Sequence, residues 1–219
     1  MQHHYMPPPD TGLEIIYQDE YILALNKPSG LLSVPGNTEQ KKDSLATRVQ
    51  QRFPEALTVH RLDMCTSGII LMALGKESHR RLNKMFEQRK IEKRYLAIVD
   101  GIPEPMIGEI NLPLIADWPN RPKQKIDYKT GKPSCTKYNV LTTDEHTNSA
   151  RVELEPVTGR THQLRIHMQA LGHTILGDGM YGGESIQNKS ERLLLHATLL
   201  EFIHPFTAHH IKIENRPPF

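Results

Sequence analysis

Cysteine is scarce and badly placed for cross-linking: Cys65 and Cys135 stand 70 positions apart, with no C-x-x-C pair. Neither a disulfide framework nor a zinc site is suggested, and a reducing cytoplasm suits such a chain best. Long apolar runs are missing as well. The best stretches, 69–74 and 193–195, fall far short of the roughly 20 residues a bilayer crossing needs, and no basic-then-apolar leader opens the sequence. The expectation is a protein that is neither exported nor embedded. Twelve histidines supply no H-E-x-x-H, and His162 and His167 miss the i,i+4 spacing that would put two imidazoles on one helical face, so no metal is implied. There is no G-x-x-x-x-G-K-[ST] phosphate loop and no G-x-S-x-G nucleophile elbow. Residues 177–182 do match G-x-G-x-x-G, but no strand leads in and no apolar-faced helix follows, so a nucleotide cofactor is not expected.

What is present describes a folded chain of 219 residues, 37% hydrophobic and 24% charged, long enough for one large domain or two small ones. The net charge of +2, from 27 basic and 25 acidic residues, announces no nucleic-acid binder by itself. Its distribution says more. Residues 76–94 carry eight cations against three anions, and residues 121–132 carry five against one. Each run alone is also what a solvated surface looks like.

A tail with Pro7, Pro8 and Pro9 is expected over 1–12, with the fold starting at Leu13 as a single domain over 13–219. Residues 13–17 and 21–26 read as a hairpin around a polar turn. Residues 44–53 repeat Leu45, Val49 and Phe53 behind the cap-like Asp43-Ser44, a helix ending before Pro54. A buried strand over 67–74 is followed by an amphipathic helix over 76–89 with Leu82, Met85 and Phe86 on one face and a cationic back. Further strands are expected at 95–99, 109–115, 137–141, 150–154, 193–202 and 210–213, and a helix at 161–171. Strands outnumber helices and mostly follow one another directly, which predicts an α+β fold with a largely antiparallel sheet.

The chemistry gathers in three places. Asp63, in His60-Arg61-Leu62-Asp63, sits in a loop just before the buried strand, where a rigid element can position it. A lone aspartate there is more often a turn former. The second place is Thr158-Gly159-Arg160-Thr161-His162-Gln163-Leu164-Arg165-Ile166-His167, which puts Arg160 and Arg165 near a predicted helix start, suited to anions. The third, Trp118-Pro119-Asn120-Arg121-Pro122-Lys123-Gln124-Lys125, alternates prolines with cations and reads as a loop able to lie along a phosphate backbone.

The block His60-Arg61-Leu62-Asp63-Met64-Cys65-Thr66-Ser67-Gly68 resembles the H-R-L-D-x-x-T-S-G signature of the RluA family of pseudouridine synthases. Asn26-Lys27-Pro28-Ser29-Gly30-Leu31, Lys93-Arg94-Tyr95, the 159–167 block, Leu176-Gly177-Asp178 with Tyr181-Gly182, and Leu195-His196-Ala197 resemble further family blocks in the same order. The resemblance implies the pseudouridine synthase catalytic fold, a mixed and mainly antiparallel sheet with flanking helices, here without the N-terminal S4-type domain of longer members. It implies isomerisation of uridine to pseudouridine in structured RNA, with no cofactor. Asp63 would be the essential carboxylate, as nucleophile or as base at the 2′ position. Tyr95 would stack on the base and help remove the C5 proton, and Arg165 would pair with Asp63 and keep it ionised. Arg61 would fill the gap left by the flipped base, and Leu195 would wall the pocket. His60, Arg160, Arg121, Lys123 and Lys125 would contact the RNA.

The short form, together with the 118–125 segment, resembles the dual-specificity member of that family. That implies a loop uridine of 23S rRNA and an anticodon-loop uridine of some tRNAs as substrates, for a cytoplasmic protein read as a monomer. A non-catalytic RNA-binding protein on the same basic surface is the main alternative, and it has no need of Asp63, Tyr95 and Arg165 together. A hydrolase built on Asp63 is disfavoured because no second carboxylate stands out as its partner. Cys65 beside Asp63 reads as a small filler.

Overall fold

The computed structural model describes residues 5–219. In chain order its elements are β1 (Ile15–Gln18), β2 (Ile22–Lys27), α1 (Leu45–Arg52), β3 (Ala56–Thr58), β4 (Ser67–Leu74), α2 (Lys76–Glu87) and β5 (Glu92–Asp100). They continue with β6 (Ile107–Asn111), β7 (Leu114–Ala116), β8 (Gln124–Ile126), β9 (Cys135–Asp144), β10 (Ser149–Pro156), α3 (Gln163–Ala170), α4 (Gly183–Gln187), β11 (Leu195–Ile203) and β12 (His210–Glu214). Twelve strands to four α-helices among the described residues bear out the α+β expectation. The chain forms two compact units, Met1–Lys93 with His196–Pro218, and Arg94–Leu195 with Phe219.

The first unit is built around β4. Its run Ile69, Ile70, Leu71, Met72 and Ala73 is buried throughout, which is why it reads as continuously apolar. It pairs antiparallel with β2 and β3, and parallel with β11 through His196↔Ser67 and Ala197↔Gly68; this parallel pair makes the sheet mixed. Gly68 is required there. Its φ is +108°, and a Cβ would lie 2.3 Å from the Ala197 carbonyl oxygen. The core gathers Ile22, Ala24, Ile69, Leu71, Leu82, Leu200, Phe202 and Ile213, with Met85 and Phe86 of α2 packed against it, as the amphipathic pattern predicts. The expected cationic back of α2 is partly neutralised, because Glu77 takes Arg80 at 2.7 Å and Arg81 at 2.8 Å. Helix α1 starts at a capping box, in which Ser44 Oγ accepts the Thr47 amide and Thr47 Oγ1 accepts the Ser44 amide. The described part of the lead-in is fastened to this region. Tyr5 donates to the Asp43 carbonyl at 3.0 Å, and Arg48 donates to the Pro8 carbonyl at 2.7 Å.

In the second unit β5, β10, β9 and β6 pair antiparallel in that order. Val152, Leu154 and Pro156 alternate inward along β10, and α3 packs on β8, β9 and β10. Three expectations change here. The single strand at 109–115 is two strands, β6 and β7, because Pro113 between them cannot continue a ladder. The segment at 118–125, expected as a loop throughout, makes a single 3₁₀ turn at Trp118–Asn120 and returns as β8, so that it forms the tip of a β7–β8 hairpin. The helix expected from Thr161 begins at Gln163, because His162 takes a left-handed φ of 56°. Arg165 therefore lies in the first turn of α3, and Arg160 precedes the helix.

Candidate active site

Asp63 lies in the loop between β3 and β4, and that loop is held from both sides. Ser33, itself buried, donates to the Leu62 carbonyl at 2.7 Å and accepts the Leu62 amide at 3.1 Å. The Asp63 carbonyl accepts the Thr66 amide at 3.0 Å, closing a turn over residues 63–66. The Met64 carbonyl accepts the Gly30 amide at 2.8 Å, and the Cys65 carbonyl accepts Ser29 Oγ at 2.7 Å. Lys27 completes the clamp. It is 0% exposed, and its ammonium donates to the carbonyls of Pro28 at 2.9 Å, Leu31 at 2.7 Å and Met64 at 3.0 Å. A buried charge is tolerable only when hydrogen-bonded in this way, and here it stitches residues 28–31 to the Asp63 loop.

The other residues expected on this loop have different situations. Arg61 is exposed, with no partner among the described residues. His60 is engaged within the fold: its Nε2 accepts the Leu71 amide at 2.8 Å and its ring stacks on Phe86 at 4.6 Å. Burial, helped by the charge of Lys93, pushes its pKa down to about 3, so it is neutral at physiological pH. It offers a phosphate no charge, and it ties the loop to the middle of β4 at Leu71. Ser67 meets His196 Nδ1 at 2.7 Å in the interior, next to the β4–β11 pair.

In the second unit Tyr95 sits on β5 opposite Leu154, and Leu195 is buried at the start of β11. Arg165 is gripped by Asp178: Nε to Oδ2 and Nη2 to Oδ1 are both 2.7 Å, with side-chain exposures of 5% and 0%. Burial works to raise the pKa of Asp178. The hydrogen bonds and charge of Arg165, with the amides of Tyr181 and Met180, outweigh it and hold the carboxyl below its ordinary range. The Arg165 guanidinium lies 5.1 Å over the Tyr181 ring. Tyr181 in turn bonds His162 Nδ1 at 2.7 Å and accepts the Gln124 amide at 2.9 Å, so the β7–β8 hairpin is tied to the same cluster.

Two further residues of the 159–167 block are architectural. Gln163 accepts from Thr158 Oγ1 and the Arg160 amide and donates to the Cys135 carbonyl and Thr136 Oγ1, all within 3.0 Å. His167 is 0% exposed, bonds Thr136 Oγ1 at 2.9 Å, and has its pKa lowered by burial. Arg160 is exposed, as are Arg121, Lys123 and Lys125 on the hairpin. The glycine run serves close packing: Gly177 has φ +76°, and a Cβ there would lie 1.9 Å from the Arg192 carbonyl oxygen. No group of three or more metal-ligating side chains occurs among the described residues.

The sequence profile of the RNA pseudouridylate synthases matches residues 21–170, a span that holds the Asp63 loop, Tyr95 and Arg165. The chain belongs to this family. As an RNA pseudouridine synthase it converts uridine to pseudouridine in RNA. It is 54% identical over 202 residues to the dual-specificity RNA pseudouridine synthase RluA of Escherichia coli (strain K12), covering 92% of both chains. The protein of that name from Pasteurella multocida is 49% identical over 215 residues, 98% of each chain. The solved structure of human RNA pseudouridylate synthase domain containing 1 matches with a TM-score of 0.81 at 30% identity, over 98% of this chain and 87% of that one. No helix among the described residues of this synthase is long and apolar enough to cross a membrane.

Sequence reasoning missed the parts of the synthase that act by holding others. Lys27 and Asp178 stand inside blocks that were noticed, yet nothing in their spacing announces a buried ammonium or a fork around Arg165. Only a basic residue closing a strand that begins with four apolar residues (Ile22–Lys27) hints at the first.

Proposed function

We propose that this enzyme modifies a loop uridine of 23S rRNA and an anticodon-loop uridine of some tRNAs, acting in the cytoplasm as a monomer, with Asp63, Tyr95 and Arg165 as its catalytic residues and residues 13–219 as one catalytic domain. In the reaction the C1′–N1 bond breaks, the uracil turns, C1′–C5 forms and C5 loses its proton. The observation that carries the assignment of Asp63 is the clamping of its loop by Lys27, Ser29 and Ser33, which fixes the backbone of a carboxylate that must meet one sugar. Tyr95, on the rigid strand β5, is assigned to the base and to the C5 proton. Arg165, kept in place by Asp178, is assigned as the charge that favours an ionised carboxylate. Extruding the target base costs a few kcal/mol, less in a loop than in a duplex. The exposed, unpartnered Arg61 suits a planar side chain that replaces it in the stack. The dual substrate range is supported by the relatives that carry that description and cover nearly all of both chains.

The test is tritium release from RNA labelled at uridine C5, on a tRNA anticodon stem-loop and on a 23S rRNA fragment, with wild type and Asp63→Asn. Release from both RNAs by wild type and from neither by a folded Asp63→Asn is the expected result. Release from one RNA class alone overturns the dual range, and turnover by Asp63→Asn overturns the central carboxylate.

A further inference from the structure

The β7–β8 hairpin carries an aromatic that neither catalysis nor folding uses. Trp118, the only tryptophan of the chain, is 66% exposed at the hairpin tip, and the Arg121 guanidinium lies 3.5 Å over its ring. Isolated exposed apolar side chains are ordinary, but this one is not isolated. Residues 114–132 also hold exposed Lys123, Lys125, Lys129 and Lys132, and Tyr128 at 78% exposure. The two acids of the segment are already committed. Asp117 accepts from Asn120 Nδ2 at 2.8 Å, and Asp127 accepts the Lys129 and Thr130 amides at 2.9 Å, which hold its pKa down. The segment therefore presents cations and rings outward, while its two anions are taken up by short local hydrogen bonds.

The ring is also held in place. The Asp117 amide bonds the Lys123 carbonyl at 3.0 Å across the tip, Pro119 and Pro122 limit the backbone, and the Gln124 amide bonds Tyr181. A rigid indole with a guanidinium on one face loses little entropy when a flat partner covers its other face. The partner must be planar, anionic nearby and unpaired, which describes a nucleobase in a single-stranded RNA segment with its phosphates along the lysines.

We infer that Trp118, braced by Arg121, is a stacking platform for an unpaired nucleobase of the substrate RNA, a base other than the uridine being isomerised. The inference rests on the reading of this hairpin as an RNA contact. It adds to that reading a requirement for unpaired structure beyond the target, since a base paired within a duplex has no free face to offer.

Because Trp118 is the sole tryptophan, its emission reports the platform alone. The protein is titrated with an anticodon stem-loop RNA and with the same strand annealed to its complement, alongside tritium release from the stem-loop. The expected results are strong quenching by the stem-loop and little by the duplex. Trp118→Ala should weaken stem-loop binding between roughly 5-fold and 100-fold, and Trp118→Phe should lie close to wild type. Trp118→Lys adds a cation and removes the stack. If it binds as well as wild type, or if Trp118→Ala does, the hairpin acts through charge alone and the platform is wrong. Equal quenching by both RNAs also overturns it. Tritium release with unchanged emission sinks the platform and leaves the activity standing, whereas quenching without release does the reverse. Circular dichroism of each variant confirms folding, since an exposed tip residue should not alter it.

Discussion

Replacing Asp178 by Asn isolates one charge in a buried pair. The Asn side-chain oxygen can still accept the Met180 and Tyr181 amides, now 2.9 and 3.0 Å from Oδ1. The anionic fork facing Arg165 disappears, and an NH2 group is turned towards guanidinium donors. Both partners are at most 5% exposed, so water screens little of what is lost. Breaking one half of a buried pair typically costs about 3–5 kcal/mol, because the remaining charge keeps its desolvation penalty. For a chain of this length that corresponds to a fall in Tm of roughly 6–20 °C. The assay is thermal unfolding followed by circular dichroism at neutral pH. The Asp178→Leu/Arg165→Met double variant should be more stable than the less stable of the two single ones, since removing both charges also removes the penalty. The pH dependence has a fixed sign. The folded pKa of Asp178 is lowered, so its contribution is complete above the unfolded value of about 3.9 and is lost as pH falls through the folded one. The gap between wild type and Asp178→Asn should accordingly narrow in acid. A Tm drop under about 2 °C, or a gap independent of pH, would refute the reasoning.

Lys27→Met should leave three carbonyls without their ammonium donor and loosen the Asp63 loop, so the Gly30 amide, bonded to Met64, should exchange at least about tenfold faster by NMR; unchanged exchange would contradict the clamp. His60, with its pKa at about 3, should show no titration of its ring protons between pH 8 and 5, and a midpoint near the ordinary histidine value would mean the imidazole is not tied to Leu71. Since that folded pKa lies below the unfolded value of about 6.5, His60 contributes stability above 6.5 that is lost as pH falls towards 3. Gly68→Ala forces a Cβ to within 2.3 Å of a backbone oxygen at a positive φ, and should yield little folded protein; a Tm near that of wild type would show that β4 and β11 can separate there without cost.

Much of the fold was legible because its signals are local. The apolar run of β4, the alternation along β10 and the Ser44 cap of α1 each sit within a few residues. The errors arise where one residue overrides the pattern around it: Pro113 divides an apolar segment into β6 and β7, and the left-handed His162 delays α3. The Asp63 loop was legible as a motif, but its supports were not. Lys27 reaches the Met64 carbonyl across 37 positions and Ser33 reaches Leu62 across 29, and neither distance has a sequence period. His60 and Arg61 are neighbours of one type in sequence, both basic and both beside Asp63, yet one is neutral and tethered while the other is exposed. Only the fold separates them.

The parallel pairing of β4 with β11 has a consequence for how the chain is made. Ser67 and His196 lie 129 positions apart, so β4 cannot meet this neighbour until residue 196 has left the ribosome. Arg94–Leu195 is continuous and can form in the order of its synthesis, whereas Met1–Lys93 must wait for His196–Pro218 to supply β11 and β12. During that interval β3 covers residues 72–74 on that edge of β4, but Ser67 and Gly68 lack their partner strand, and an unpaired edge is the kind of surface that draws other chains into aggregates. A long-range closure of this sort also slows folding. Synthesis from the amino end therefore completes the middle of the sequence first, and the part that carries Asp63 last.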